Sequence, residues 1–342
     1  MRKAIFVSVM LTLLPSAALA SAYAALNAGI LSHTDERWDD AIQYFTTALA
    51  DPALPKASRV VAYYDRGDAY FQQNKLDLAF RDVTAAISLD PHYRDAFVLR
   101  SIIYAYAGRY LDAVASDTAL LAFAPQVYDA YTERAIHYLS ADRLDDALND
   151  ANSFIALEPD SYFGYEIRSS IYMTRGDVKS ALNDAEKSID ENDKSAPAQF
   201  ERAAAEFALG DFGRTESAIA EWVKLDPGVT SYGALWTALA RAARNKDASG
   251  AVDNGLESNA SSWPAPILGF YAGKLSEQQL DLSIEKDAKQ KKETCEANFY
   301  AGEWLLLHNQ ASGKVRLALA ANQCPMEFVE RQEAAIALAR SP

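Results

Sequence analysis

Five arginines, Arg66, Arg100, Arg134, Arg168 and Arg202, recur every 34 residues, and this ladder is the most conspicuous chemistry-bearing pattern in the chain. A guanidinium group donates two parallel hydrogen bonds, so a row of them suits a clamp for carboxylates or phosphates. Three rungs have an internal answer. Asp82, Asp150 and Asp184 lie sixteen residues beyond Arg66, Arg134 and Arg168, a spacing that places each carboxylate on the facing part of a paired helix. We read these as structural pairs. Arg100 faces Ser116 or Asp117, whereas Arg202 has only Ala218 at that spacing, with Glu216 as a substitute. These two rungs are the ones left for a ligand.

Catalytic groups are otherwise sparse. The four histidines, His33, His92, His137 and His308, are scattered, and no HExxH, GxSxG or GxxxxGK occurs. An enzyme needs a nucleophile or an acid–base pair held on rigid elements. With none legible, the sequence predicts no catalytic residue, no cofactor and no metal site. The two cysteines, Cys295 and Cys324, fall at the ends of what reads as an antiparallel helix pair. Two such ends meet within disulfide range, so one structural bridge is expected. In an oxidising compartment two cysteines and no others read as one such bridge.

The arginines sit inside a wider 34-residue lattice. Tyr70, Tyr104, Tyr138 and Tyr172 form one row, Ala79, Ala113, Ala147 and Ala181 a second. A third runs Asn74, Gly108, Asp142, Gly176, Gly210, and Pro91, Pro125, Pro159 and Pro227 share a fourth. Proline just past a helix end and Gly or Asn at a turn punctuate helix pairs. A helical pattern of this period marks hairpins that cannot bury their apolar faces alone and must stack. The predicted fold is all-α, a right-handed superhelical solenoid of antiparallel hairpins. Six repeats are expected over residues 21–227, the first near Ala22, with a protruding loop inserted at Asp51–Ala57. Residues 228–342 read as a divergent helical region. It contains helices over Ser231–Asn245 and Ser276–Lys289, a hairpin over Thr294–Cys324, and a closing helix over Met326–Ala339.

The chain has 342 residues, 33 basic and 47 acidic, for a net charge of −14. That balance argues against nucleic acid or anionic lipid as partner, since both demand clustered Lys and Arg. Its start, MRKAIFVSVMLTLLPSAALA, has a basic beginning, a short apolar run and a small-x-small end. This is the pattern of a signal peptide, residues 1–20, cleaved after Ala20 or Ala24. The mature protein is then expected in the periplasm or secreted, soluble, with no stable membrane span.

Stacked hairpins offer one place for specificity, the face lined by their first helices. With the phase above, its wall takes Tyr64, Asp68 and Phe71, then Leu99, Ile102 and Tyr106. It continues through Thr132, Glu133 and Ile136, through Phe163, Glu166, Ser170 and Met173, and through Phe200, Glu201 and Phe207. Aromatic and aliphatic groups among carboxylates suit an extended or helical polypeptide bearing basic residues. The function expected is a non-catalytic scaffold. The alternatives are an enzyme acting on cell-wall or peptide substrates, and an oligomeric platform for envelope or appendage biogenesis.

The stretch RGDAYFQQNKLDLAFRDVTAAISLDP, Arg66 to Pro91, resembles the tetratricopeptide repeat, and the resemblance runs from about Ala22 to Pro227. Further on, Trp263 with Ile267–Ser276 (ILGFYAGKLS), then Cys295–Glu303 (CEANFYAGE), is similar to the NlpI family of bacterial envelope proteins. That resemblance implies a homodimeric adaptor that brings a periplasmic tail-specific protease to its substrates and docks peptidoglycan hydrolases. The chain departs from that family's lipoprotein pattern in having no cysteine near the predicted cleavage site, and in adding Cys295 and Cys324.

Overall fold

The computed structural model describes residues 17–259, 261–284, 289–325 and 328–340. The apolar run of the predicted signal peptide therefore lies outside the described residues, as does the start of the expected closing helix at Met326. Among the described residues the secondary structure is helical throughout, with no strand and with helices in consecutive antiparallel pairs. They divide into unit 1, ending at Ala130, and unit 2, beginning at Tyr131.

Unit 1 holds three hairpins: α1 (Ala17–Thr34) with α2 (Trp38–Ala50), α3 (Lys56–Gln72) with α4 (Leu76–Leu89), and α5 (Arg94–Tyr106) with α6 (Tyr110–Phe123). Each buries a stripe of small residues where its helices meet. A Cβ built on Gly67 would sit 2.9 Å from the Val83 side chain, so the helix pair closes only because that position is bare. The inserted loop differs from expectation. It does not simply protrude, because Leu54 is buried in the core formed by Ala22, Phe45 and Ala69. An apolar side chain on a five-residue link gains more by turning inward than by standing in water.

Unit 2 begins within α7 (Asp129–Ser140) and continues with α8 (Leu144–Leu157), α9 (Tyr162–Arg175), α10 (Val178–Glu191), α11 (Ala196–Ala208) and α12 (Phe212–Leu225). Pro227–Val229 is a single 3-10 turn. After it come α13 (Thr230–Ala243), α14 (Ser249–Ser258), α15 (Ala265–Tyr271), α16 (Glu277–Leu282), α17 (Gln290–Leu307), α18 (Ser312–Gln323) and α19 (Val329–Arg340). The helix expected over Ser276–Lys289 stops at Leu282. Its Ser276 and Gln279 form a reciprocal capping box at the start, and Ser283 returns its hydroxyl to the Leu280 carbonyl at the end. Trp236 of α13 is fully buried at the centre of an aromatic cluster with Phe200, Phe207, Phe299 and Tyr300. Arg316 of α18, itself buried, reaches Glu277 and Asp281 of α16 and Asn298 of α17. That fork ties the six-residue α16 to α17 and α18.

The turn row behaves as its residue types require. Asn74, Gly108, Asp142, Gly176 and Gly210 all have positive φ, between 57° and 82°. Glu36 (φ 58°) occupies the same place in the first hairpin, displaced by the inserted loop. The arginine ladder is also local. Arg66 donates to Asp82 at 2.6 and 2.9 Å, Arg134 to Asp150 at 2.7 Å twice, and Arg168 to Asp184 at 2.6 and 2.8 Å. Each guanidinium also lies 5.6–6.0 Å from two tyrosine rings, Tyr63 and Tyr70, Tyr131 and Tyr138, or Tyr165 and Tyr172. The tyrosine row thus flanks the arginines as well as filling space between hairpins.

The two remaining rungs have partners too. Arg100 donates to the Ser116 hydroxyl at 2.8 Å, and burial lowers its pKa. Arg202 does not use Glu216, which instead accepts from Arg241 and Arg244. Its neighbour is Glu206, 3.8 Å away one helical turn on, at the position the tyrosine row leaves vacant. Because Asp184 is buried while Arg168 is one-fifth exposed, Asp184→Ala is expected to cost about 2–3 kcal/mol. Loss of a buried partner costs 3–5, and partial hydration of the guanidinium offsets part of it. Thermal unfolding of that variant checks the figure.

Candidate functional site

In unit 1 the face of the first helices gathers side chains from α1, α3 and α5. Tyr64 meets Tyr93 edge-on at 5.5 Å between ring centres, and Phe71 meets Tyr106 in the same way at 5.7 Å. Between them lie Asp65, Asp68 and Asp95. Asp68 accepts from His33 Nε2 at 2.7 Å, and that bond raises the His33 pKa. Asp65 is pushed up to about 6, first by burial and then by the neighbouring Asp68 and Asp95 charges, against the pull of His33. The face therefore holds more negative charge than the single His33 cation can neutralise. Tyr106 is 66% exposed and Ile102 38%, so the face is open at its rim. One wall residue expected here is misplaced: Leu99 is buried, packed with Val60, Val83 and Ile103 between hairpins. Asp65, Tyr93 and Asp95 were missed. Asp65 shares its repeat position with Glu133 and Glu201, each directly before a ladder arginine, and Asp95 shares its own with Asp129, five residues before one, so the 34-residue lattice held a signal for both carboxylates.

In unit 2 the same face is occupied by the chain itself. α19 packs on α9 and α11, and α17 on α13. Gln332 donates to the Thr174 hydroxyl at 3.2 Å. Arg340 donates to the carbonyls of Phe207 and Ala208 at 3.1 Å, meeting the electronegative end of α11. Three expected wall residues of this unit are interior. Thr132 is fully buried, Met173 belongs to the main core, and Phe207 packs between Phe212 and Trp236. Glu166 is half-buried and accepts from Ser195 and Ser188, tying α9 to the start of α11 and the end of α10, so its carboxylate is engaged within the fold. Ile136 packs partly against the Ala135–Leu148 core, and Glu133 is half-buried on the same helix. Phe163 remains exposed. Ser170, Phe200 and Glu201 line a cavity of about 400 Å³ that α17 and α19 complete, with Met173 at its inner wall.

The structural cysteines lie where the hairpin reading puts them. Cys295 of α17 and Cys324 after α18 are bonded, with Cα atoms 5.2 Å apart. No helix among the described residues is long and apolar enough to cross a membrane.

A profile of the tetratricopeptide repeat matches residues 26–94 and 64–128. Unit 2 is also built from helix hairpins. A tetratricopeptide repeat protein from Parabacteroides merdae superposes with a TM-score of 0.58 at 16% identity, covering 73% of this chain and 97% of that one. MamA from Desulfovibrio magneticus gives 0.47 at 15% identity, over 51% and 97%. At 16% identity the likeness to the Parabacteroides merdae protein speaks to fold alone. A 57-residue stretch is 39% identical to a peptidyl-prolyl cis-trans isomerase of Saccharomyces cerevisiae, spanning 17% of this chain and 14% of that protein. A match this short carries no activity across.

Proposed function

We propose that this protein is a non-catalytic adaptor of the bacterial envelope, and that unit 1 holds an extended, basic polypeptide segment on the face of its first helices. The observation that carries the reading is the row of partly exposed aromatic side chains, Tyr64, Phe71, Tyr93 and Tyr106, set among Asp65, Asp68 and Asp95. Aromatic rings supply contact area at low entropic cost, and the uncompensated carboxylates select Lys and Arg. The envelope location is supported by the signal-like start and by a bridge that forms in oxidising compartments. The resemblance to NlpI proteins extends the proposal to a tail-specific protease or a peptidoglycan hydrolase as partner, and to a homodimer.

Fluorescence anisotropy with a labelled Lys/Arg-rich peptide and its acidic counterpart tests the binding face. The basic peptide alone is expected to bind, more weakly as salt rises. Tyr106→Ser and Asp95→Asn are each expected to reduce affinity about tenfold. Equal binding of both peptides, or of neither, rejects the reading. For the location, protein recovered from the native periplasm should begin at Ser21 or Ala25; an intact residue 1–20 segment on cytoplasmic protein counts against it.

A further inference from the structure

The cavity in unit 2 is walled by Phe200, Trp222, Tyr232, Tyr300 and Phe328 and carries three carboxylates, Glu201, Glu296 and Glu330. Phe200 and Trp222 pack with ring centres 4.6 Å apart. Glu296 is fully engaged, accepting from the Trp263 indole and from Tyr232 at 2.9 Å, with Lys292 at 3.6 Å. The other two carboxylates are not. Glu330 is more than nine-tenths buried and is reached by its own backbone N–H and, at 3.5 Å, by the Tyr300 hydroxyl; Glu201 is reached by the Ser170 hydroxyl and, at 3.4 Å, by Ser169. Bonds of that length satisfy a carboxylate poorly. Glu333 adds to the imbalance, being wholly buried with both oxygens unpartnered and within electrostatic reach of Glu201 and Glu330. Aromatic rings present negative faces, so walls and carboxylates together make a potential well for positive charge. Lys292, the cation on the cavity wall, is committed to Glu296.

We propose that this cavity is a binding site for an organic cation, an alkyl-linked guanidinium or primary ammonium group of the size of an arginine or lysine side chain. The volume of about 400 Å³ suits one such group with its attached backbone. The cation would sit against Trp222 and Phe200 and complete the coordination of Glu201 and Glu330. The proposal stands whether or not unit 1 binds polypeptide.

Proton release is a second consequence. Burial pushes Glu201 and Glu330 up to about 7, and a cation between them favours their ionised forms. The groups facing them are Glu166, Ser169 and Ser170 from α9, Tyr232 from α13, Lys292, Glu296 and Tyr300 from α17, and Glu333 from α19. Among these only Lys292 brings positive charge, so affinity should rise between pH 6 and 8.

Titration calorimetry of the full chain with N-acetyl-arginine amide, its neutral isostere N-acetyl-citrulline amide, and a glycine–serine pentapeptide with a central arginine tests the site. The arginine compounds are expected to bind, with the citrulline analogue weaker by about tenfold or more. Glu201→Gln, Glu330→Gln and Trp222→Leu should each weaken arginine binding to a similar degree. The two Gln variants remove buried charge and keep shape, and circular dichroism verifies that they fold. Tighter binding of the pentapeptide than of the amide assigns the site to a polypeptide side chain, and equal binding to a free cation. No heat up to about 20 mM ligand, equal binding of citrulline, or unchanged affinity in both Gln variants overturns the proposal.

Discussion

Unit 2 is expected to lose stability as pH rises from 5.5 to 8.5, and Glu333→Met to remove much of that loss. Glu201, Glu303 and Glu330 are held up to about 7, and Glu333 well above the usual carboxylate range, in every case first by burial. Opposing cations are few: Arg340 lowers Glu303 and Glu333, and Lys292 lowers Glu330. One Glu303 oxygen and both Glu333 oxygens have no hydrogen-bond partner. The folded state therefore holds protons that the unfolded chain gives up near pH 4.5. Where the native state binds more protons, stability falls with pH. The fall begins above the unfolded value and levels off once pH passes the folded one. A group moved from about 4.5 to about 7 accounts for roughly 2 kcal/mol across this interval, and coupling makes the total less than a simple multiple.

Four of the five tryptophans, Trp222, Trp236, Trp263 and Trp304, lie in unit 2, so intrinsic fluorescence follows this unit selectively. The expected drop in melting temperature is about 5–10 °C. Methionine at position 333 fills a similar volume without a charge to desolvate, so that variant should melt higher than the parent at pH 8.5 and almost level with it at pH 5.5. General charge repulsion in an acidic chain also grows with pH, but one substitution would leave that slope nearly intact. A slope unchanged by Glu333→Met, or a melting temperature that climbs with pH, defeats the account.

The same glutamates mark where the sequence stops being informative. A stack of hairpins touches mainly its neighbours, so packing repeats with the chain and leaves a period in it. The arginine–aspartate pairs were legible at sixteen residues for that reason, and so were the positive-φ turns. The return of α19 onto α9 has no such trace, because Gln332 and Thr174 are 158 residues apart. Its buried face compounds the difficulty, since Glu330, Gln332 and Glu333 are types that polarity assigns to the surface. Met173 and Phe207 were accordingly placed on an open wall. Glu206 illustrates the same limit on a smaller scale. It interrupts the tyrosine row, yet as a buried carboxylate beside Arg202 and Arg214 it keeps the ladder's fifth rung neutralised.

The α17–α18 hairpin is packed by α19 as well as by α13, α15 and α16, and removing its bridge should show how far it depends on that staple. Cys295 and Cys324 close a loop 29 residues long, and in the chain-entropy account this restricts the unfolded state by about 3–4 kcal/mol. Both residues are nearly inaccessible, so mild reductant acts slowly on the native protein. A Cys295→Ala, Cys324→Ala double variant is the cleaner probe. Its expected consequence is a melting temperature lower by about 8–14 °C in the tryptophan signal of unit 2, with faster amide exchange in α18 and α19. Those helices share the stapled end: Arg331 of α19 donates to the Cys324 carbonyl at 2.8 Å. Exchange in α3 and α4 of unit 1 should be unchanged, since their hairpin core is separate. Uniform loss of protection in both units would instead make the whole chain one cooperative block, and an unaltered melting curve would show that α17 and α18 hold together by packing alone.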